Sequence, residues 1–184
     1  MQIIRASGLA QSQWPNGAGR KADIASGPGW LIGFAWLERE APFSDYAGHD
    51  RTITLVEGGG FTLDLPEGSV LRVDRPDTPA AFDGKGPITC RLLGGPCTVL
   101  NVVSTYPGLS HTVQVLSAHE VPAFEPGAHS FLGVLHGTVR AGNADAARLD
   151  TLILTSGEEL RPSVDARFAA IRIESAGGTE EDEC

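Results

Sequence analysis

Arg51 opens the strand-like run Arg51-Thr52-Ile53-Thr54-Leu55-Val56-Glu57. Residues two apart on a strand share a face, so Ile53 and Leu55 take Arg51 and Glu57 with them, while Thr52 and Thr54 lie opposite. If the aliphatic face lines a barrel, Arg51 stands at its mouth with a planar fork suited to two-point capture of a carboxylate. The competing role is structural, a pairing with Asp45 or Asp50 that fixes the loop from Ala41 to Asp50. His49 and Asp50, just before the arginine, could orient it, touch a ligand or serve the loop alone. Asn101 interrupts the aliphatic run Val99-Leu100-Asn101-Val102-Val103. A buried amide left unpaired costs about 1–3 kcal/mol, so Asn101 needs a partner, either ligand or backbone. Upstream, Trp14-Pro15-Asn16-Gly17-Ala18-Gly19 has no apolar period and reads as a loop whose glycines permit close backbone approach. No Gly-Lys-Ser or Gly-Lys-Thr follows it, which excludes a phosphate loop.

Other chemistries lack their residues. The histidines are His49, His111, His119, His129 and His136, and none forms a His-x-His pair. His129 and His136 could converge across the second half of the chain, but nothing nominates further ligands, so the expectation is neither metal nor cofactor. Ser44 lies near Asp45 and His49 without a Gly-x-Ser-x-Gly elbow and is better read as a turn cap than as a nucleophile. Cys90, Cys97 and terminal Cys184 do not make a disulfide framework. Cys90 and Cys97 flank the Gly94-Gly95-Pro96 turn and read as small buried apolar residues.

These residues need a scaffold of short strands. β-branched and aromatic runs recur between Gly, Pro and Asp clusters in a chain with 23 Gly and 12 Pro, which predicts an all-β sandwich or barrel. Strands are expected at 24–25, 30–38, 51–57, 61–64, 69–73, 88–93, 98–104, 113–116, 131–139, 151–155 and 168–174. The single soft helix candidate is 144–149. From Trp30 to Leu37 both faces are apolar, as in a strand covered on both sides, so its aromatics read as core, with Trp36 near the strand end kept as a ligand candidate. Ile53-Thr54-Leu55-Val56-Glu57-Gly58 is echoed by Leu132-Gly133-Val134-Leu135-His136-Gly137, and Pro66-Glu67-Gly68-Ser69 by Glu125-Pro126-Gly127-Ala128. Such echoes suggest two related halves joined near 106–110.

Taken together, the 14–19 loop, the segment Ala41 to Gly58, and Gly94-Gly95-Pro96 followed by Leu100-Asn101-Val102-Val103 resemble the HutD/Ves family of small bacterial cupin-like proteins. The resemblance covers most of the first hundred residues in order and spacing, while the second half matches only as a loosely patterned run of strands. It implies a bicupin of two packed jelly-roll barrels with little helix: residues 1–107 carrying the main motifs and 108–176 a second cupin-like half, while the composition of 177–184, four acids after Gly177-Gly178-Thr179, predicts a disordered acidic tail. It also implies a pocket containing Trp14, Asn16 and Gly19, completed in our reading by Trp36, Phe43, Asp50, Arg51 and Asn101. Ala18, Arg20-Lys21 and Asp23 depart from the residues usual in relatives.

Charge narrows the partners. The chain has 14 basic and 23 acidic side chains, a formal net charge of −9, and removing the four tail acids leaves a body nearer −5. Nucleic acid and anionic membranes are therefore not expected partners. The N-terminus lacks a signal-peptide pattern and no window is apolar enough to span a membrane, so the default location is cytoplasmic. The function that the HutD/Ves resemblance implies, with Arg51 as a carboxylate clamp, is binding of a small anionic metabolite, urocanate or a formylglutamate-like acid, as a sensor or regulator linked to histidine utilisation. The alternatives are a metal-independent enzyme using Asp50, His49 or Glu57, and a module that pairs as a homodimer.

Overall fold

The computed structural model describes residues 1–120, 129–155 and 159–176, so the acidic tail, Cys184 and the 125–128 echo lie outside it. In the first half a six-stranded antiparallel sheet runs Gln11–Gln13, Gly19–Gly27, Trp30–Leu37, Cys97–Thr105, His49–Glu57, Pro79–Asp83. Facing it is a four-stranded sheet, Ala41–Pro42, Thr89–Leu92, Phe61–Asp64, Val70–Val73. The second half repeats the plan with a five-stranded sheet, Gln2–Ile4, Thr151–Leu154, His129–His136, Arg167–Ser175, Leu109–Ser117. Its smaller sheet is Ala144–Ala146, Val139–Ala141, Leu160–Pro162. The first strand in the chain thus belongs to the second half's sheet, pairing Ile3 with Leu152. Among the described residues no helix is long and apolar enough to cross a membrane.

Period-two alternation divides the apolar residues among three cores. Ile53, Leu55, Val99, Ala35 and Leu37 point into the first half, where they meet Phe61, Leu63 and Ile88. Leu132, Val134, Leu152 and Phe168 fill the second half. The opposite faces of the two large sheets pack on each other, Ile32, Phe34, Leu100 and Val102 against Phe131, Leu135, Ile171 and Ile173. Trp30–Leu37 therefore lies between the halves, which is why both its faces are apolar. Trp30 reaches across to the second half, with its ring centroid 5.5 Å from that of Phe131 and 5.2 Å from that of His129.

The echo is structural. Gly58 and Gly137 close their strands with φ of +109° and +69°, the left-handed region open to glycine. The helix candidate at 144–149 is not a helix. Gly142 and Asn143 form a two-residue hairpin turn, and Ala144–Ala146 spends its backbone hydrogen bonds on Val139–Ala141 instead. His129 and His136 do not converge either, because they occupy the two ends of one strand. His129 packs against Trp30 with the rings tilted by 40°, and His136 Nε2 lies 3.3 Å from Asp77 Oδ2, which Arg167 Nε also approaches at 3.1 Å.

Polar groups also cross between the halves. Glu57 meets Arg148 at 3.0 Å. His111, from the second half, wedges between two hydroxyls of the first: Nδ1 is 2.7 Å from Ser104 Oγ and Nε2 is 2.9 Å from Thr52 Oγ1. Burial pushes the His111 pKa down, partly opposed by the charge of Asp50. A lowered folded-state pKa means the unfolded chain takes up the proton first, so this contribution is present above the ordinary histidine pKa and lost as pH falls through it. The melting temperature should accordingly drop between about pH 7.5 and about pH 5.5, and less steeply in His111→Gln. Equal slopes for variant and wild type would remove His111 from that pH dependence.

Candidate functional site

The inner face of the six-stranded sheet is only partly covered by the four-stranded one. The uncovered part, closed over by residues 13–16 and 42–46, is a cavity of about 460 Å³. Its floor follows from register. Asp23, Gly33, Asn101 and Ile53 lie side by side on adjacent strands, and the next row is Lys21, Ala35, Val99 and Leu55. Gly33 is required there, since a Cβ would come within 2.8 Å of the Ala22 carbonyl oxygen.

Arg51 stands at one side of this floor, only 6% exposed. It pairs with neither Asp45 nor Asp50. Asp45 Oδ1 instead accepts from Ala47 N at 3.1 Å and Gly86 N at 2.9 Å, while Asp50 points to the opposite face with the His111 cluster. The partner of Arg51 is Asn101, whose Oδ1 accepts from Nη2 at 3.0 Å. That bond answers the question posed by the amide in an aliphatic strand. Phe43, Tyr46 and Phe82 surround the guanidinium, its central carbon lying 5.2, 5.0 and 5.1 Å from their ring centroids. Nε and Nη1 are buried without any hydrogen-bond partner. Burial lowers the Arg51 pKa to about 10, with the Tyr46 phenol acting in the opposite direction. The side chain still carries its charge at neutral pH, and among the described residues no carboxylate forms an ion pair with it.

The cavity brings together most of the sequence candidates. Trp14 and Phe43 line it and meet edge to face, ring centroids 5.9 Å apart. Asn16 also lines it, but its amide supports the loop: Oδ1 accepts from Ala18 N at 3.0 Å and Nδ2 donates to the Pro42 carbonyl at 3.3 Å. Three candidates lie elsewhere. Trp36 is on the opposite face of its strand, against the inter-half core and under Arg20. Asp50 also faces away. Gly19 packs under its neighbour strand, where a Cβ would approach the Trp36 carbonyl oxygen to 2.2 Å, and so shapes the loop without lining the cavity. The acid-base candidates are committed as well: Glu57 to Arg148, and His49 Nδ1 to the Ala47 carbonyl at 3.1 Å.

Tyr46, Phe82, Lys21 and Asp23 were not singled out as site residues by their sequence. Tyr46 and Phe82 complete the aromatic cage from a loop and an edge strand. Lys21 and Asp23 sit on Gly19–Gly27, whose polar start Gly-Arg-Lys-Ala-Asp hides its strand character. Alternation from Ile24 back through Ala22 was the available signal. Among the described residues no cluster of three or more His, Cys, Asp or Glu side chains is placed to hold a metal. Cys90 and Cys97 are buried free thiols, and burial pushes Cys90 up to about 12, far from a reactive thiolate.

The HutD family model matches residues 6–171 of the chain. An uncharacterized 21.2 kDa protein in the hutC 3′ region of Pseudomonas putida is 33% identical over 110 residues, 56% of this chain and 57% of the relative. The chain thus spans little more than half the length of that relative. Among solved structures, HutD from Pseudomonas fluorescens SBW25 superposes with a TM-score of 0.79 at 24% identity, covering 96% of this chain and 99% of that one. A conserved protein of unknown function from Pseudomonas aeruginosa PAO1 gives the same values. A cupin 2 conserved barrel domain protein from Leptotrichia buccalis gives 0.60 at 11% identity, covering 95% and 96%. These likenesses are of fold, and the fold they share with this chain is of cupin type.

Proposed function

The chain belongs to the HutD family, and from the unpaired guanidinium in its cavity we propose that it binds a small carboxylate-bearing metabolite. The observation that carries this reading is Arg51: a buried cation with Nε and Nη1 unsatisfied and no acidic partner among the described residues. A buried charge without a counter-charge is costly, and an anion bound in the cavity would offset that cost. Asn101 occupies one of the five guanidinium N–H groups, and because it bonds Nη2, one two-donor edge of the fork stays whole for a carboxylate. Trp14, Phe43 and Tyr46 supply apolar walls, giving the usual mixture of a few polar groups in a mostly apolar pocket.

The ligand belongs to histidine utilisation, a reading supported by the curated relative's position in a hutC region. The protein acts as a sensor or buffer of that metabolite. Thermal unfolding against histidine, urocanate, imidazolone propionate, formiminoglutamate and formylglutamate tests this, since a ligand selective for the native state raises the melting temperature with concentration. A saturable rise for one of the carboxylates, absent in Arg51→Ala, is the expected result. An undiminished rise in that variant removes Arg51 as the clamp, and no rise with any compound separates the chain from histidine utilisation.

A further inference from the structure

We infer that Lys21 and Asp23 form a second polar subsite of the cavity, which selects a linear monocarboxylate whose far end carries a neutral amide-like group. The inference rests on the Arg51 reading and adds what lies at the other side of the floor. Asp23 and Asn101 flank Gly33 in one row of the sheet, so two strand spacings, roughly 10 Å, separate them. Gly33 between them has no side chain and lines the cavity, so no side chain divides the two polar groups along the floor.

The ionisable residues lining the cavity are Lys21, Asp23, Tyr46 and Arg51. With Tyr46 neutral their formal charge is +1, which one carboxylate on Arg51 cancels. Lys21 Nζ reaches both Asp23 oxygens at 3.2 Å, and the two side chains are 42% and 48% exposed. An ion pair so solvated is held weakly and exchanges partners at little cost. The pair offers a donor, the ammonium, beside an acceptor, the carboxylate. An amide presents the complementary acceptor and donor together. A second carboxylate would suit Lys21 but face Asp23 and overshoot the charge of the wall, whereas an alkyl end would desolvate both groups without replacing their hydrogen bonds.

Calorimetric titration of the full chain with glutaramate, glutarate and hexanoate separates these cases, because the three share a carboxylate and a similar length. The expected result is a preference for glutaramate of about tenfold or more over each of the others, abolished in Asp23→Asn and reduced in Lys21→Ala. Asp23 and Lys21 are half exposed, so neither variant threatens the fold. If all three acids bind alike and Arg51→Ala abolishes that binding, the carboxylate reading stands and the second subsite is overturned. A preference for glutarate also overturns it. If none of the three binds to protein shown to be folded, both readings fall.

Discussion

Replacing Arg51 by methionine should remove carboxylate binding by about a hundredfold while raising stability by about 1–2 kcal/mol. Both effects follow from one fact. A drop in pKa from 12.5 to about 10 means that the fold disfavours the charged form by roughly 3 kcal/mol. Methionine matches the length of the aliphatic stem and offers its sulfur to Phe43, Tyr46 and Phe82 in place of the lost cation–π contacts. Asn101 loses one hydrogen bond but, only partly buried, regains it from water. On the binding side, loss of a charge-assisted two-point contact is worth about 3 kcal/mol, near a hundredfold in affinity. Titration with the best ligand and chemical denaturation of both proteins check the two halves of the prediction. A variant destabilised by several kcal/mol would show that Arg51 is held for structure.

Gly19→Ala should be the opposite kind of lesion, destabilising by about 3 kcal/mol or more. The added methyl would sit 2.2 Å from the Trp36 carbonyl oxygen, and that carbonyl is fixed by the pairing of Gly19–Gly27 with Trp30–Leu37. One strand must move, and with it the turn in which Trp14 N donates to the Gly19 carbonyl at 2.9 Å. Overpacking against backbone is relieved only by breaking the ladder. A melting temperature within a degree or two of wild type would show that the loop has slack that the pairing does not suggest.

That glycine marks the boundary of what the sequence made legible. The fold class was readable because β-branched and aromatic runs recur between Gly, Pro and Asp clusters along the chain. Arg51, Ile53 and Leu55 share the inner face as their spacing demands, and the doubly apolar Trp30–Leu37 lies between the halves. Edge strands were not readable, since Gln11–Gln13 has no apolar side chain to bury and Pro79–Asp83 opens on a proline and has no β-branched residue, so both owe their shape to a neighbour's hydrogen bonds. In the site, face arithmetic placed Arg51 on the inner face and the amide among aliphatics marked Asn101 as needing a partner, yet their contact depends on register between strands fifty residues apart, which no local pattern encodes. The aromatic cage was hidden for the same reason: Phe43, Tyr46 and Phe82 converge only after three separate segments fold. Gly19 was associated with the pocket by resemblance, and its role in the structure is steric.

The pairing of Gln2–Ile4 with Thr151–Leu154 also governs how the chain must fold. Residues 2–4 wait for partners roughly 150 positions later in the chain, and closure of so long a loop is entropically late and slow. Until then Thr151–Leu154 presents an unprotected sheet edge, the kind of surface on which partly folded chains join one another. Severing the chain between its two jelly rolls would make that transient state permanent. The second half expressed alone should therefore self-associate, and a peptide carrying residues 1–9 added in trans should suppress the association.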